Sequence, residues 1–192
     1  MSIFLVAYTK TMGHEGGYCD DPVDVGGETY KGISRRFNPS WVGWSEIDNL
    51  KQNPDFPSCL DESDVLQDDV WDFYRQKYFD PYDGESMPEE LACEMFDTSV
   101  NMGVGRAVKF LQKSLNLLNR NGSLYPDMVE DGDFGPTTER CLQLYLKSDS
   151  IDLLLKFLNV FQGNHYINYM TKSPTQEKYA RGWFNRIEIN KK

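Results

Sequence analysis

The chain has 192 residues, 40% of them hydrophobic and 14% aromatic, and a net charge of −10. That composition excludes a disordered chain and gives enough length for one large domain or two small ones, each with a core. The negative balance, without any Lys/Arg run, argues against nucleic-acid binding through a basic surface.

The acidic excess is uneven, since residues 1–84 carry 16 Asp/Glu against 7 Lys/Arg. Residues 2–15 fit a helix, with Ile3, Ala7 and Thr11 on one line and Phe4, Tyr8 and Met12 on the next. The apolar run Ile3 to Tyr8 is too short for a membrane span. It also lacks the basic flank of a signal peptide, so synthesis in the cytoplasm and export by another route are expected. The helix ends on a single carboxylate, Glu15, followed by Gly16 and Gly17, which suit a helix stop. Asp20, Asp21, Pro22, Asp24, Gly26 and Gly27 are turn residues, and Thr29 to Ser34 reads as one short strand.

Residues 35–60 read as irregular, broken by Pro39, Trp41, Trp44, Pro54 and Pro57. Asp61 or Ser63 is placed to cap a helix carrying Leu66, Val70, Phe73 and Tyr74, which ends near Asp80-Pro81. The turn-rich segment 81–90 is the best linker candidate, and it divides the chain into 1–86 and 87–192. Beyond Pro88 the pattern is helical. One apolar face is stopped at Gly103 and Gly105, a second at Asn121-Gly122, and the turn DGDFGPTT (131–138) leads into a helix that Thr137 is placed to cap. A long helix over about 151–170 and a tail with ARGWFNRI (180–187) complete the chain.

Four widely spaced cysteines and two histidines supply no zinc-type spacing, so no metal or cofactor is expected, and the thiols are expected to be free. The acids of DGDFG do not make an EF-hand, because the ligand spacing and the terminal Glu are missing.

Glu15 is the residue with chemistry to offer. At a helix C-terminus its charged form is disfavoured by the macrodipole, and Asp20, Asp21 and Asp24 add like-charge repulsion. Both push toward a carboxyl that stays protonated, as a general acid must. A solvated Glu in a last helical turn is the plain alternative. Asp24 is a natural second carboxylate, or equally an Asx-turn residue bonding the Gly26 or Gly27 backbone. The hydroxyls of Thr29 and Ser34 could hold a water, or could belong to strand residues with no task. Tyr18, Tyr30, Trp41 and Trp44 offer sugar-stacking rings or simply core, and Asn101 a cleft amide or a helix cap. His14 adjoins Glu15 but points away from it on a helix.

The run EGGY followed by DPVDVGGETYKGIS resembles the signature of glycoside hydrolase family 108, lysozyme-like N-acetylmuramidases. The resemblance implies that Glu15 is the catalytic acid, with Asp24 and Thr29 assisting the attacking water. Tyr18, Tyr30, Ser34 and Asn101 are then candidate substrate contacts. Ser34 departs from the threonine of many members, which removes no carboxylate. FDTSVNMGVGRAVKFLQ (96–112), DGDFGPTT and RGWFNR (181–186) resemble the peptidoglycan-binding region that accompanies this module. The fold expected is α+β, mostly α, lysozyme-like, with a small hairpin after the first helix and packed C-terminal helices, and the short linker predicts one compact body.

The implied activity is cleavage of the β-1,4 bond between N-acetylmuramic acid and N-acetylglucosamine. Lytic transglycosylase action and non-catalytic wall binding or secretion support are the alternatives. The implied partners are peptidoglycan strands, with a holin or other export partner. A monomer acting on the wall, in the periplasm or outside, is expected. A strongly anionic surface would be repelled by an anionic wall, so the excess acids are expected to lie away from the cleft.

Overall fold

The computed structural model describes residues 2–12, 16–21 and 26–187. It is helix-dominated, with one small antiparallel sheet after the first helix. By contact density the chain divides into two compact units, Tyr8–Lys77 and Met1–Ala7 together with Tyr78–Lys192.

The smaller unit takes the second half of α1 (Ile3–Met12), the sheet, α2 (Gly43–Leu50) and α3 (Asp64–Tyr78) up to Lys77. Thr29 to Ser34 is not one strand but two, β2 (Thr29–Tyr30) and β3 (Ile33–Ser34), with β1 (Tyr18–Cys19) on the other side of β2. Tyr30 pairs with Ile33, so Lys31-Gly32 is a two-residue hairpin loop. Both residues have positive φ, 43° and 77°, as the primed hairpin turns require.

Tyr74 of α3 locks this turn by donating to the Lys31 carbonyl at 2.8 Å. A Cβ on Gly32 would lie 2.7 Å from that same hydroxyl. Gly32→Ala is therefore expected to lower stability by about 2 kcal/mol, from left-handed strain plus the displaced hydroxyl. A urea melt would show a lower midpoint at unchanged slope.

Residues 43–50 form a helix where the prolines and tryptophans read as irregular. Trp41 and Trp44 are both buried, edge to face at 5.0 Å. Their indole N–H groups donate to the carbonyls of Asp69 and Asn38. The pair is core. Gly43 is required beside it, because a Cβ there would meet the Trp41 ring at 2.4 Å. Ser63 caps α3, its Oγ accepting from Leu66 N–H at 3.4 Å.

The larger unit contains α4 (Glu89–Met102), α5 (Val104–Leu118), α6 (Pro136–Ser148), α7 (Ile151–Lys172) and the short α8 (Ala180–Phe184). Phe4 in the first half of α1 packs on Phe79 and Phe96 with ring centroids 5.1 and 5.6 Å away. The segment 81–90, turn-rich in sequence, is packed within this unit, with Tyr82 and Met87 buried. Its Glu85 accepts from the Ile3 and Phe4 N–H groups and from Ser2 Oγ, so it caps α1 from 82 residues away. α6 starts at Gly135-Pro136 without a side-chain cap. The expected cap residue Thr137 is not used, and its neighbour Thr138 turns inward to Gln112.

All four cysteines are free, and Cys59, Cys93 and Cys141 are buried. No helix among the described residues is long and apolar enough to cross a membrane.

Candidate active site

Glu15, Asp24 and His14 lie outside the described residues; the sheet that brackets the loop is described in full. Thr29 sits at the centre of that sheet, opposite Cys19 on one side and Ser34 on the other. Its hydroxyl donates to the Gly27 carbonyl at 3.1 Å, and Ser34 Oγ donates to the Gly26 carbonyl at 2.5 Å. A Cβ on Gly26 would come within 3.4 Å of Thr29 Oγ1 and 3.7 Å of Ser34 Oγ. Two hydroxyls on adjacent strands thus hold Gly26 and Gly27, which follow Asp24 closely in the sequence. Each has spent its proton on a carbonyl and keeps oxygen lone pairs that can accept.

Glu28, which precedes Thr29, anchors the other side. Its carboxylate, 10% exposed, accepts from the Tyr18 hydroxyl at 2.9 Å and pairs with Arg35 at 2.9 Å and Lys51 at 2.7 Å. Arg35 and Lys51 in turn share Asp48, at 2.6 and 3.2 Å. Two acids and two bases balance, so the network adds no net charge beside the loop. The hydrogen bond from Arg35 holds Asp48 below the usual carboxylate range. Burial, with the Glu28 carboxylate beside it, pushes the Tyr18 phenol up to about 12, so Tyr18 stays a neutral donor. Tyr18 also meets Phe56 edge to face at 4.8 Å.

Tyr30 points into the core and is 1% exposed. Its hydroxyl donates toward the Leu60 carbonyl and Asp61, both at 3.2 Å, and accepts from Gln67 at 3.0 Å. Burial raises its phenol to about 12. The structure therefore brings Tyr18, Thr29, Tyr30 and Ser34 onto one sheet, with Tyr30 facing inward. Asn101 belongs to the larger unit, near the end of α4, where its exposed amide donates to the Asp97 carbonyl one turn back at 2.7 Å.

The other sequence motifs of that unit are structural clamps. Gln112 is 1% exposed and donates to Asp131 Oδ1, the Asp133 carbonyl and Thr138 Oγ1, while its Oε1 accepts from Gly132 N–H at 2.9 Å. One side chain of α5 thereby holds the whole DGDFGPTT turn. Asp97 pairs with Arg186 at 2.5 Å and accepts from Gln162 at 3.2 Å. Burial nonetheless keeps its carboxyl above the ordinary range. Among the described residues no group of three His, Cys, Asp or Glu side chains is arranged to hold a metal ion.

Residues 8–103 match the family model described as Glycosyl hydrolase 108, and residues 106–188 match one described as Predicted Peptidoglycan domain. The chain is thus of the glycosidase class, with a peptidoglycan domain attached. It belongs to the glycosyl hydrolase 108 family. A solved structure, "Structure of Brucella abortus SagA", is similar over 96% of this chain and 88% of that one, with a TM-score of 0.60. At 22% identity that likeness speaks to the fold alone. No curated protein matches the chain.

Proposed function

We propose that this glycosidase hydrolyses the β-1,4 bond between N-acetylmuramic acid and N-acetylglucosamine, with Glu15 as the general acid. The observation that carries the reading is the match of residues 8–103 to a glycosyl hydrolase family, within which the Glu of EGGY is separated from Asp24 by eight residues. The braced end of the loop is consistent with it.

Glu15 protonates the leaving oxygen as positive charge builds on the sugar ring. Asp24 supplies the second carboxylate, which orients water or stabilises the oxocarbenium-like ring. Thr29, its proton donated to Gly27, offers an oxygen that accepts a hydrogen from that water. Tyr18 and Ser34 keep the loop's ends in register, and Tyr30 supports the sheet from the core. The protein acts at the cell wall, which it reaches with a holin or other export partner.

Mass analysis of fragments released from purified sacculi tests the reaction. Hydrolysis adds one water per cut and leaves reducing N-acetylmuramic ends. Anhydro ends would overturn the hydrolase in favour of a lytic transglycosylase. Sacculi that retain the protein and release no soluble fragments would overturn catalysis altogether.

A further inference from the structure

α7 carries an aromatic residue every fourth position: Phe157, Phe161, His165 and Tyr169. That spacing puts all four on one side of the helix, over about 18 Å of its length. They are joined through their rings, with Phe110 of α5 bridging Phe161 to His165 at 6.4 Å. Phe157 and Phe161 lie 6.5 Å apart, Phe110 of α5 stacks on Phe161 at 5.8 Å, and His165 is parallel to Tyr169 within 8° at 6.3 Å. The tail extends the line, with Trp183 at 5.9 Å from Tyr169 and Tyr179 at 5.7 Å from Trp183. Trp183 is backed by the buried Tyr166 ring, parallel within 10° at 5.0 Å, and so has a fixed plane.

None of the six rings on the line from Phe157 to Tyr179 is buried, and Tyr169 and Tyr179 are 44% and 47% exposed. The opposite side of α7 is a normal buried face, with Leu154, Leu158, Gln162 and Tyr166. The core therefore does not account for the outer rings. A line of half-exposed rings that ends in two exposed ones is a candidate binding surface.

The charge around the ladder identifies its occupant. The chain as a whole carries −10, yet residues 165–187 hold Lys172, Lys178 and Arg181 against Glu177, with Arg186 already paired to Asp97. Lys178 lies over the Tyr179 ring at 4.8 Å, and Arg106 stands 3.3 Å from His165 Nε2. A line of half-exposed and exposed rings with cations beside it fits a linear polymer of sugar rings that carries carboxylates. A second copy of this acidic chain meets that description poorly.

We propose that the ladder formed by Phe157, Phe161, His165, Tyr169, Trp183 and Tyr179 is a glycan-binding face that takes successive sugar rings of a peptidoglycan strand. Its cations meet the carboxylates of the strand's stem peptides. The proposal rests on peptidoglycan being the substrate and does not depend on which residue is the acid.

Cosedimentation of the full chain with purified sacculi, stripped of secondary wall polymers, tests it, with all variants made in a Glu15→Gln background. Tyr169→Ala/Tyr179→Ala, which removes two exposed rings, is expected to weaken binding by about tenfold. Tyr169→Phe/Tyr179→Phe is expected to stay within about twofold of the parent, and both pairs should melt close to it. Undiminished binding by the alanine pair overturns the proposal, as does a parent that does not bind sacculi. A change in self-association with sacculus binding unaffected also overturns it, in favour of an interface between copies. If Glu15→Gln still releases fragments, the assignment of the acid fails while the binding curves still decide the ladder.

Discussion

Glu15→Gln is expected to lower the rate of sacculus hydrolysis by about 10²–10⁴-fold, the range for loss of a general acid. Glutamine keeps the size and hydrogen-bonding edge of the side chain and removes only the transferable proton. Binding to sacculi and the melting temperature should therefore stay close to wild type, and the loss should appear in turnover. Asp24→Asn separates the two carboxylates. As the second one it should slow hydrolysis too, whereas an Asx-turn residue would keep its turn as Asn and leave the rate unchanged. Normal clearing by Glu15→Gln would remove Glu15 from the chemistry.

The second large effect is on stability. Gln112→Leu fills nearly the same volume but deletes every hydrogen bond holding the 131–138 turn to α5. The Gly132 N–H, whose bond to Gln112 is buried, is left without its acceptor, and the Asp133 carbonyl and Thr138 lose a donor. One stranded buried donor with several weakened partners costs about 3 kcal/mol. In a chain of this size that lowers the melting temperature by roughly 6–12 °C. The turn cannot relax toward α5 to recover contacts. Gly132 has φ of +88°, and a Cβ there would already stand 2.6 Å from the Gly105 carbonyl. A melt within 2 °C of wild type would show that Gln112 is not the clamp.

Gln112 also shows where reading the chain by itself stops. The residues of DGDFGPTT announce a turn before a helix, and such a turn is present. That it is held by a glutamine about 20 residues earlier is not in the local pattern, because a Gln in a helix reads the same whether it is solvated or buried. Glu28 is the same case. Its partners Arg35 and Lys51 lie 7 and 23 residues away, and only the packed sheet and α2 bring them to one carboxylate. Glu85 caps α1 across 82 residues, a pairing that no propensity scale contains.

Sequence alone determined the helix-dominated class, the α3 to α7 periodicities, and the run from EGGY to the GGETYKGIS strands that places the chain in its glycosidase family. These are legible because helical spacing, turn residues and motif order are local and repeat within a few positions. Tertiary structure decided the rest. It split Thr29 to Ser34 into a hairpin, because Tyr74 holds Lys31-Gly32 in left-handed geometry. It sent Tyr30, Trp41 and Trp44 to the core, where their polar atoms have backbone carbonyls to meet. It also left the rings of α7 and the tail at the surface in one line. An aromatic side chain is equally suited to a core or to an exposed sugar face, and which of the two it serves depends on what packs against it.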